Sequence, residues 1–264
     1  MKILITGSNG YIGKNLVDFF SGTNDVTTLT RETHNLRNPI DFSEHFDIII
    51  HCAGNPSAKK CIDDPHSAIQ DNIIATYNVL EYAKRMKIKK LVFLSTCEVY
   101  TGNIDACEND LPNCTNMYSA TKLSCEHICQ AYFNSYDFMD TCVILRLIHS
   151  YGKYCQDDRF PSIVKRKFES EKCPHFILKT TTPKRWISTD EICEKINILI
   201  HNFTGYSVFN LVGDENLSLH QFILKFGENY TYEYDTSFVK KGYPNESNAR
   251  GDKLTKFINS VTSS

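Results

Sequence analysis

Two groups of side chains in this sequence have the types and spacing to do chemistry. Tyr118 and Lys122 stand four residues apart in Tyr118-Ser119-Ala120-Thr121-Lys122, so on a helix they share one face, where an ammonium lowers the pKa of a phenol electrostatically. Such a phenol passes a proton to or from an alcohol or ketone oxygen. Thr96, with Ser95 beside it at the end of an apolar run, supplies a hydroxyl that can hydrogen-bond the same oxygen. The second group is Gly7-Ser8-Asn9-Gly10-Tyr11-Ile12-Gly13, whose glycines let the backbone turn tightly and approach a pyrophosphate. A Tyr-x-x-x-Lys pair alone is commonly a surface pair, and Gly-x-x-Gly-x-x-Gly is not the Gly-x-Gly-x-x-Gly spacing. Together the two groups point to nicotinamide chemistry on an alcohol or ketone.

These groups need rigid elements to hold them. Lys2-Ile3-Leu4-Ile5-Thr6 reads as a buried parallel strand that feeds the glycine turn, and 12–20 reads as the amphipathic helix it opens. A phosphate charge would sit on the free amides at that helix's N-terminus. Further apolar runs at 26–30, 47–52, 90–95 and 141–147 predict strands, with helices near 67–86 and 117–135 between them. That alternation is the pattern of an α/β fold with a doubly wound parallel sheet. After Gly152 the pattern becomes irregular, with Pro161, Pro174 and Pro183, then a helix at 190–201, a strand at 207–212 and a helix from Ser218. Residues 1–152 are therefore expected to form a dinucleotide-binding domain. Residues 153–264 are expected to form mainly a smaller, interleaved C-terminal substrate lobe, with about 184–212 returning to the main domain.

Composition narrows the partners. A chain of 264 residues exceeds the usual single-core size, and a hydrophobic fraction of 41% is ample for a core. A net charge of -2 gives no global electrostatic reason for binding nucleic acid or an anionic membrane. The basic run Lys84-Arg85-Met86-Lys87-Ile88-Lys89-Lys90 falls at a helix C-terminus, where cations complement the dipole. No apolar run approaches membrane-spanning length. The first strand begins at residue 2, which predicts no signal peptide. The 11 cysteines are odd in number, scattered, and form no Cys-x-x-Cys pair, so reduced thiols in the cytoplasm are expected. Cys125, His127 and Cys129 have no two further spaced ligands and read as helix packing, so no metal is expected.

The ordered motifs resemble the extended short-chain dehydrogenases/reductases, in particular those acting on nucleotide sugars, over nearly the whole chain. The resemblance is carried by Gly7, Gly10 and Gly13; by His51-Cys52-Ala53-Gly54; by Asn72 in Asp71-Asn72-Ile73-Ile74-Ala75-Thr76; by Ser95-Thr96-Cys97-Glu98-Val99-Tyr100; and by Tyr118 with Lys122. Leu145-Arg146-Leu147-Ile148-His149-Ser150-Tyr151-Gly152, with His149 where Asn is common, Arg185-Trp186-Ile187-Ser188-Thr189-Asp190-Glu191-Ile192 and Phe209-Asn210-Leu211-Val212-Gly213 extend it. It implies a Rossmann core and a catalytic set of Thr96, Tyr118, Lys122 and Glu98. Cofactor contacts are implied for Gly7, Asn9, Gly10, Tyr11, Ile12, Gly13, Arg31, Asn35, Leu36, Ala53, Gly54, Asn72, Ser95, Tyr118 and Lys122, with Asn35 and Leu36 bordering the adenine after a short third strand. Substrate contacts are expected from Cys97 and His149, from Lys184 or Arg185 near a diphosphate, and from Arg250. A homodimer through helices near 67–86 and 117–135 is implied as well.

Two departures bear on the reaction. NAD-using members place an acidic residue at the end of the second strand, and here that place reads Leu29-Thr30-Arg31. An arginine without the carboxylate favours a 2′-phosphate, hence NADP(H), with NAD as the other possibility. Sugar 4,6-dehydratases carry Asp-Glu after the catalytic Thr; this chain has Cys97-Glu98, and a thiol is a poor substitute for that acid, although Glu98 could act on a C5 proton. The leading expectation is an NADPH-dependent reductase of a nucleotide-linked 4-keto-6-deoxysugar, with Tyr118 as proton donor. The alternative is an internal-redox nucleotide-sugar epimerase, decarboxylase or 4,6-dehydratase with bound NAD. A non-catalytic cofactor-binding protein is a more distant third, against which intact Thr96, Tyr118 and Lys122 speak.

Overall fold

The short β-branched run at the start of the chain forms β1 (Lys2–Thr6), buried from Ile3 onward, and the glycine turn leads from it into α1 (Tyr11–Phe20). The structure, a computed structural model, describes residues 1–103, 105–235 and 248–263. After α1 come β2 (Asp25–Leu29) and β3 (Ile48–His51), then α2 (Ala58–Asp63) and α3 (Pro65–Ala68), which runs through a π-turn (Ile69–Ile74) into α4 (Ala75–Met86). β4 (Lys90–Thr96) ends in a 3₁₀ turn (Cys97–Val99), and α5 (Met117–Ser135), β5 (Thr141–Leu147), β6 (Ser150–Tyr151), α6 (Phe160–Ser170) and β7 (His175–Leu178) follow. The remaining elements are β8 (Lys184–Arg185), β9 (Ile187–Ser188), α7 (Thr189–Asn202), β10 (Gly205–Leu211), β11 (Asn216–Leu217), α8 (Leu219–Leu224), β12 (Thr231–Tyr234) and α9 (Asp252–Thr262).

Six strands pair in parallel in the order β10-β5-β4-β3-β1-β2. Alternate residues of the central strands face opposite layers, which is why their sequences read as continuous apolar runs. Leu4, Ile49, Leu91 and Phe93 pack with Val79, Tyr82, Cys125 and Cys129 of α4 and α5. Ile3, Ile5, Ile50, Val92 and Leu145 pack with Leu16 and Phe20 of α1 and with Ile192, Ile196 and Leu199 of α7. Both faces are covered, so this is the doubly wound α/β fold the sequence predicts. The strand order reverses between β1 and β3, which opens a crevice at their carboxyl ends.

A third core gathers Val164, Phe176, Leu178, Trp186 and Phe222 from α6, β7, α8 and the segment between β8 and β9. The Trp186 and Phe222 rings stack at 4.0 Å. Among the described residues no helix is long and apolar enough to cross a membrane.

Two local expectations change. The stretch from 67 to 86 is not one regular helix: Asp64 caps α3 through Ser67 N, Pro65 opens it, and the π-turn intervenes before α4. No strand lies between Leu29 and Ile48. Thr30 and Thr33 close a tight polar turn there, with Thr30 N donating to Thr33 Oγ1 at 3.0 Å. Asn35 and Leu36 therefore sit on the loop after β2, not after a third strand.

His51 joins β3 to its neighbours from inside. Its Nδ1 lies 2.7 Å from Thr6 Oγ1 and its Nε2 3.0 Å from Thr76 Oγ1. Burial first, then the Lys122 charge, pushes its pKa down to about 3, against about 6.5 in an unfolded chain. The imidazole is neutral in the fold, so unfolding between those values takes up a proton. Stability from this site is complete above the unfolded value and falls by about 1.4 kcal/mol per pH unit as the medium is acidified toward the folded value. Urea denaturation near pH 7 and near pH 4.5 should show that decline, and His51→Gln should flatten it. An equal decline in the variant would assign the acid sensitivity elsewhere.

Candidate active site

A cavity of about 860 Å³ lies over the carboxyl ends of β1, β3 and β4 and extends to α6 and β8. Gly7, at φ +69, donates its N–H to Leu29 O at 2.9 Å, and Gly10 N donates to Gly7 O at 2.9 Å. A Cβ on Gly13 would stand 2.2 Å from Gly7 O, so helix and strand can approach this closely only at glycine. Gly10 ends the turn as the N-cap of α1 without a side-chain cap, which leaves the first amides of the helix, at its positive dipole end, for an anion. Asn9, Gly10, Tyr11, Ile12 and Gly13 all line the cavity. This turn fits a dinucleotide pyrophosphate.

The opposite wall is Ala53-Gly54-Asn55. Asn72 does not line the cavity; it braces this wall. Its Oδ1 accepts from Asn55 N at 2.7 Å and its Nδ2 donates to Thr121 Oγ1 at 2.8 Å, while a Cβ on Gly54 would collide with Oδ1 at 2.7 Å. Past β2, the cavity is bordered by Arg31, Glu32, His34, Asn35, Leu36 and Arg37. Arg31 Nη2 donates to Asp71 Oδ1 at 3.0 Å. Glu32 Oε2 accepts from Asn9 Nδ2 at 3.1 Å, and hydrogen bonds from the Thr30 side chain and the backbone hold its carboxyl below the ordinary range. In the sequence Glu32 is only the neighbour of Arg31, with no cofactor role read for it, although it falls about twenty residues after the glycine turn, the spacing of a ribose-binding carboxylate.

Thr96, Glu98, Tyr118 and Lys122 meet at the other end, with Ser95 beside them. Asn116 caps α5 by accepting Ser119 N at 2.9 Å, which starts the helix where Tyr118 and Lys122 share the cavity face. Thr96 Oγ1 accepts Glu98 N at 3.1 Å, and Thr96 lies on the cavity wall with Tyr118. Lys122 is 7% exposed, with Nζ 4.2 Å from the Phe93 ring centre, and burial lowers its pKa. The phenol differs from expectation. Burial, then the Glu98 charge, pushes Tyr118 well above the ordinary tyrosine value, against a smaller pull from Thr96. The resting phenol is therefore a proton donor. Glu98 itself is pushed up by burial, opposed by Asn116 and Arg159, and its Oε2 is buried without a hydrogen-bond partner.

Of the substrate candidates, His149 and Lys184 line the cavity, and three others do not. The 3₁₀ turn after β4 points Cys97 inward, where it is fully buried among Val99, Tyr100 and Val212 and donates to Arg146 O at 3.1 Å. Residues of β8 alternate, so Arg185 faces away and its Nη1 donates to Asp214 O at 2.7 Å, while Lys184 and Trp186 face inward. Arg250 lies outside, 3.8 Å from both Asp105 and Asp252. Gln156, Arg159, Phe160, Lys179 and Thr180 complete the wall. In the sequence Pro161 reads only as part of the irregular stretch after Gly152, although in the structure it opens α6.

Residues 3–211 match the NAD dependent epimerase/dehydratase family, and the chain belongs to it. The resemblance to extended short-chain dehydrogenases/reductases read in the sequence therefore stands. A dTDP-D-glucose 4,6-dehydratase of Dictyostelium discoideum is 26% identical over 261 residues, 82% of this chain and 59% of that protein. The chain thus spans about three fifths of the length of that relative. Among solved structures, MoeE5 in complex with UDP-glucuronic acid and NAD superposes with a TM-score of 0.81 at 18% identity, covering 98% of this chain and 93% of the other. A UDP-glucuronic acid 4-epimerase variant from Bacillus cereus, also holding NAD, gives 0.79 at 24% identity, with 97% and 92% covered.

The expected preference for NADP(H) is overturned. The family is described as NAD dependent, and both of these structural neighbours hold NAD. The physical reason lies at the end of β2: Arg31 is engaged by Asp71, and the Glu32 carboxylate shares its corner. A negative neighbour disfavours a phenolate, so its removal favours one. Glu98→Gln should accordingly bring the Tyr118 titration down toward the ordinary tyrosine value. The tyrosinate absorbance of each protein, minus that of its Tyr118→Phe counterpart, measures the midpoint. An unmoved midpoint would leave burial as the sole cause.

Proposed function

We propose that this chain binds NAD and acts on a nucleotide-linked sugar, oxidising it at one carbon and reversing that oxidation within the same turnover. One observation carries the reading: Thr96, Tyr118 and Lys122 converge on the cavity into which the uncapped glycine turn opens. The family and its NAD-holding neighbours favour this internal-redox alternative over the net reductase first expected from Arg31.

NAD, when bound, would supply the electron acceptor and later return the electrons. The chain's own groups then handle protons and position. Gly10 and the first amides of α1 would hold the pyrophosphate, and Glu32 the ribose hydroxyls. Thr96 would bind the reacting sugar oxygen, and Tyr118 Oη would carry its proton away and bring it back. Lys122, kept from water by Phe93 and α5, would hold the nicotinamide ribose and favour the phenolate when Tyr118 must act as a base. Lys184 and Arg159 would meet the diphosphate and the anionic parts of the substrate.

Glu98 refines the reading. Inversion at C4 needs one proton-handling group, whereas a step at C5, beside the ketone, needs a second. A carboxyl with a raised pKa, its Oε2 buried without a hydrogen-bond partner, next to Tyr118, is such a group. We infer dehydration or decarboxylation ahead of simple epimerisation. Exposed Ile69, Tyr77 and Tyr136 lie on or beside the π-turn, α4 and α5, which supports a homodimer through these helices; light scattering would return the mass of two chains.

The test has two parts. Nucleotide released on denaturing the purified protein should be NAD. Incubation with UDP-glucose, UDP-glucuronate or dTDP-glucose in deuterated water should give one converted sugar with deuterium at C5, and Tyr118→Phe should slow conversion by about a hundredfold or more. Glu98→Gln should abolish the C5 exchange. Steady consumption of added reduced nicotinamide, mole for mole with product, would overturn the internal-redox reading. Conversion with inversion at C4 and no C5 label would leave epimerisation.

A further inference from the structure

The corner of the cavity past β2 contains charges that the chemistry above does not use. Asp71 Oδ1 accepts from Arg31 Nη2 at 3.0 Å and from Arg37 Nε at 2.7 Å, and Arg37 Nη2 goes on to Ser67 Oγ at 2.6 Å. Asp71 is only 8% exposed, Arg37 34% and Arg31 67%. The Arg31 pair is therefore weak on its own, but both guanidiniums are directed at one oxygen of one buried carboxylate. Burial opposes ionisation of Asp71, yet the two arginines outweigh it and hold the carboxyl below the ordinary range. All three side chains line the cavity, and Glu32 adds a second carboxylate on the same side.

A 2′-phosphate carries close to two negative charges and is bound by guanidinium donors free to form charge-assisted bonds. Here Arg31 Nη2 and Arg37 Nε are engaged by Asp71 and Arg37 Nη2 by Ser67, and carboxylates would face the phosphate. A ribose with a plain 2′-hydroxyl meets no such conflict. We propose that Asp71, on the π-turn, is a cofactor-specificity residue: it holds Arg31 and Arg37 as its own partners and, with its charge, excludes a 2′-phosphate, so that NAD is taken and NADP refused. This rests on the NAD reading above and says which residue enforces it.

Calorimetric titration of the full chain, freed of bound nucleotide, with NAD and with NADP tests it. The unmodified protein should bind NAD more tightly. Asp71→Asn should narrow the NAD-over-NADP ratio by about tenfold or more, chiefly through tighter NADP binding. Adding Arg31→Gln and Arg37→Gln to that variant should remove the gain. An unchanged ratio in an Asp71→Asn protein that still binds NAD overturns the proposal. Arg31→Ala in the unmodified background gives a second check that does not depend on Asp71→Asn folding. It should leave NADP affinity within about twofold, since that guanidinium is directed at Asp71; a loss of about tenfold would show Arg31 reaching the phosphate despite Asp71. An unmodified protein that prefers NADP would overturn the NAD reading itself, before any variant is made.

Discussion

The geometry of the reacting end depends on one buried ion pair. Arg146, near the end of β5, donates from Nη2 to Glu126 Oε2 at 2.6 Å and from Nε to both carboxylate oxygens at 3.1 and 3.2 Å. Glu126 also accepts from Ser95, and Arg146 also donates to Tyr100, whose hydroxyl donates to Asn210 at 3.1 Å. The pair thereby links α5, β4, β5 and β10. Glu126 is one helical turn beyond Lys122 and two beyond Tyr118, and Ser95 immediately precedes Thr96. A buried ion pair adds little net stability over an apolar replacement, because desolvation offsets the attraction. What it supplies here is register. Helix α5 cannot slide along the sheet without stranding two charges, so the phenol, the ammonium and the threonine hydroxyl stay in fixed relation.

Desolvation sets the charge states above that frame. Burial pushes Tyr118 up and Lys122 down, so each moves toward its neutral form. His51 is driven neutral by the same cause, with the Lys122 charge adding to it. At the far end the balance is different: hydrogen-bond and ion-pair partners hold the Asp71 and Glu32 carboxyls below their ordinary range. One end of the cavity is thus poised to exchange protons, and the other is electrostatically fixed. That division suits a cofactor held by its adenosine end and reacting at its nicotinamide end.

Much of this was legible in the sequence, for reasons that are local. The β1-turn-α1 unit is written in a short apolar run followed by glycines whose spacing serves helix–strand contact, and α5 runs over the expected 117–135 because Asn116 caps it. What was not legible depends on contacts distant in sequence. Arg31 reads as a free cation until Asp71, forty residues on, engages it. The π-turn that carries Asp71 has no compositional mark, and Glu32 is hidden by its arginine neighbour. Arg185 looked equivalent to Lys184 until pairing with β11 fixed which one faces inward. In each case the residue type was visible and its partner was not.

The same limit decides how the Cys97-Glu98 pair is read. In sequence the thiol stands in place of an acid, which counts against any reaction that uses two proton-handling groups. In space the two neighbours do not compete for one position. Thr96 caps the 3₁₀ turn by accepting Glu98 N, and this turn sends Cys97 into the protein beneath Arg146 O while leaving Glu98 on the cavity wall. Burial pushes the Cys97 thiol far above its ordinary value, so it takes no part in proton transfer. The carboxyl is left as the group beside Tyr118 able to hold a second proton. Loss of the carboxylate of a 4-keto uronic acid as carbon dioxide breaks the C5–C6 bond, leaves its electrons on an enolate, and needs only a donor that returns a proton to C5. Loss of a hydroxyl needs a donor at the departing oxygen as well, and Cys97 cannot be it. The turn geometry therefore shifts the balance within the proposed reactions toward decarboxylation, through a single residue's orientation.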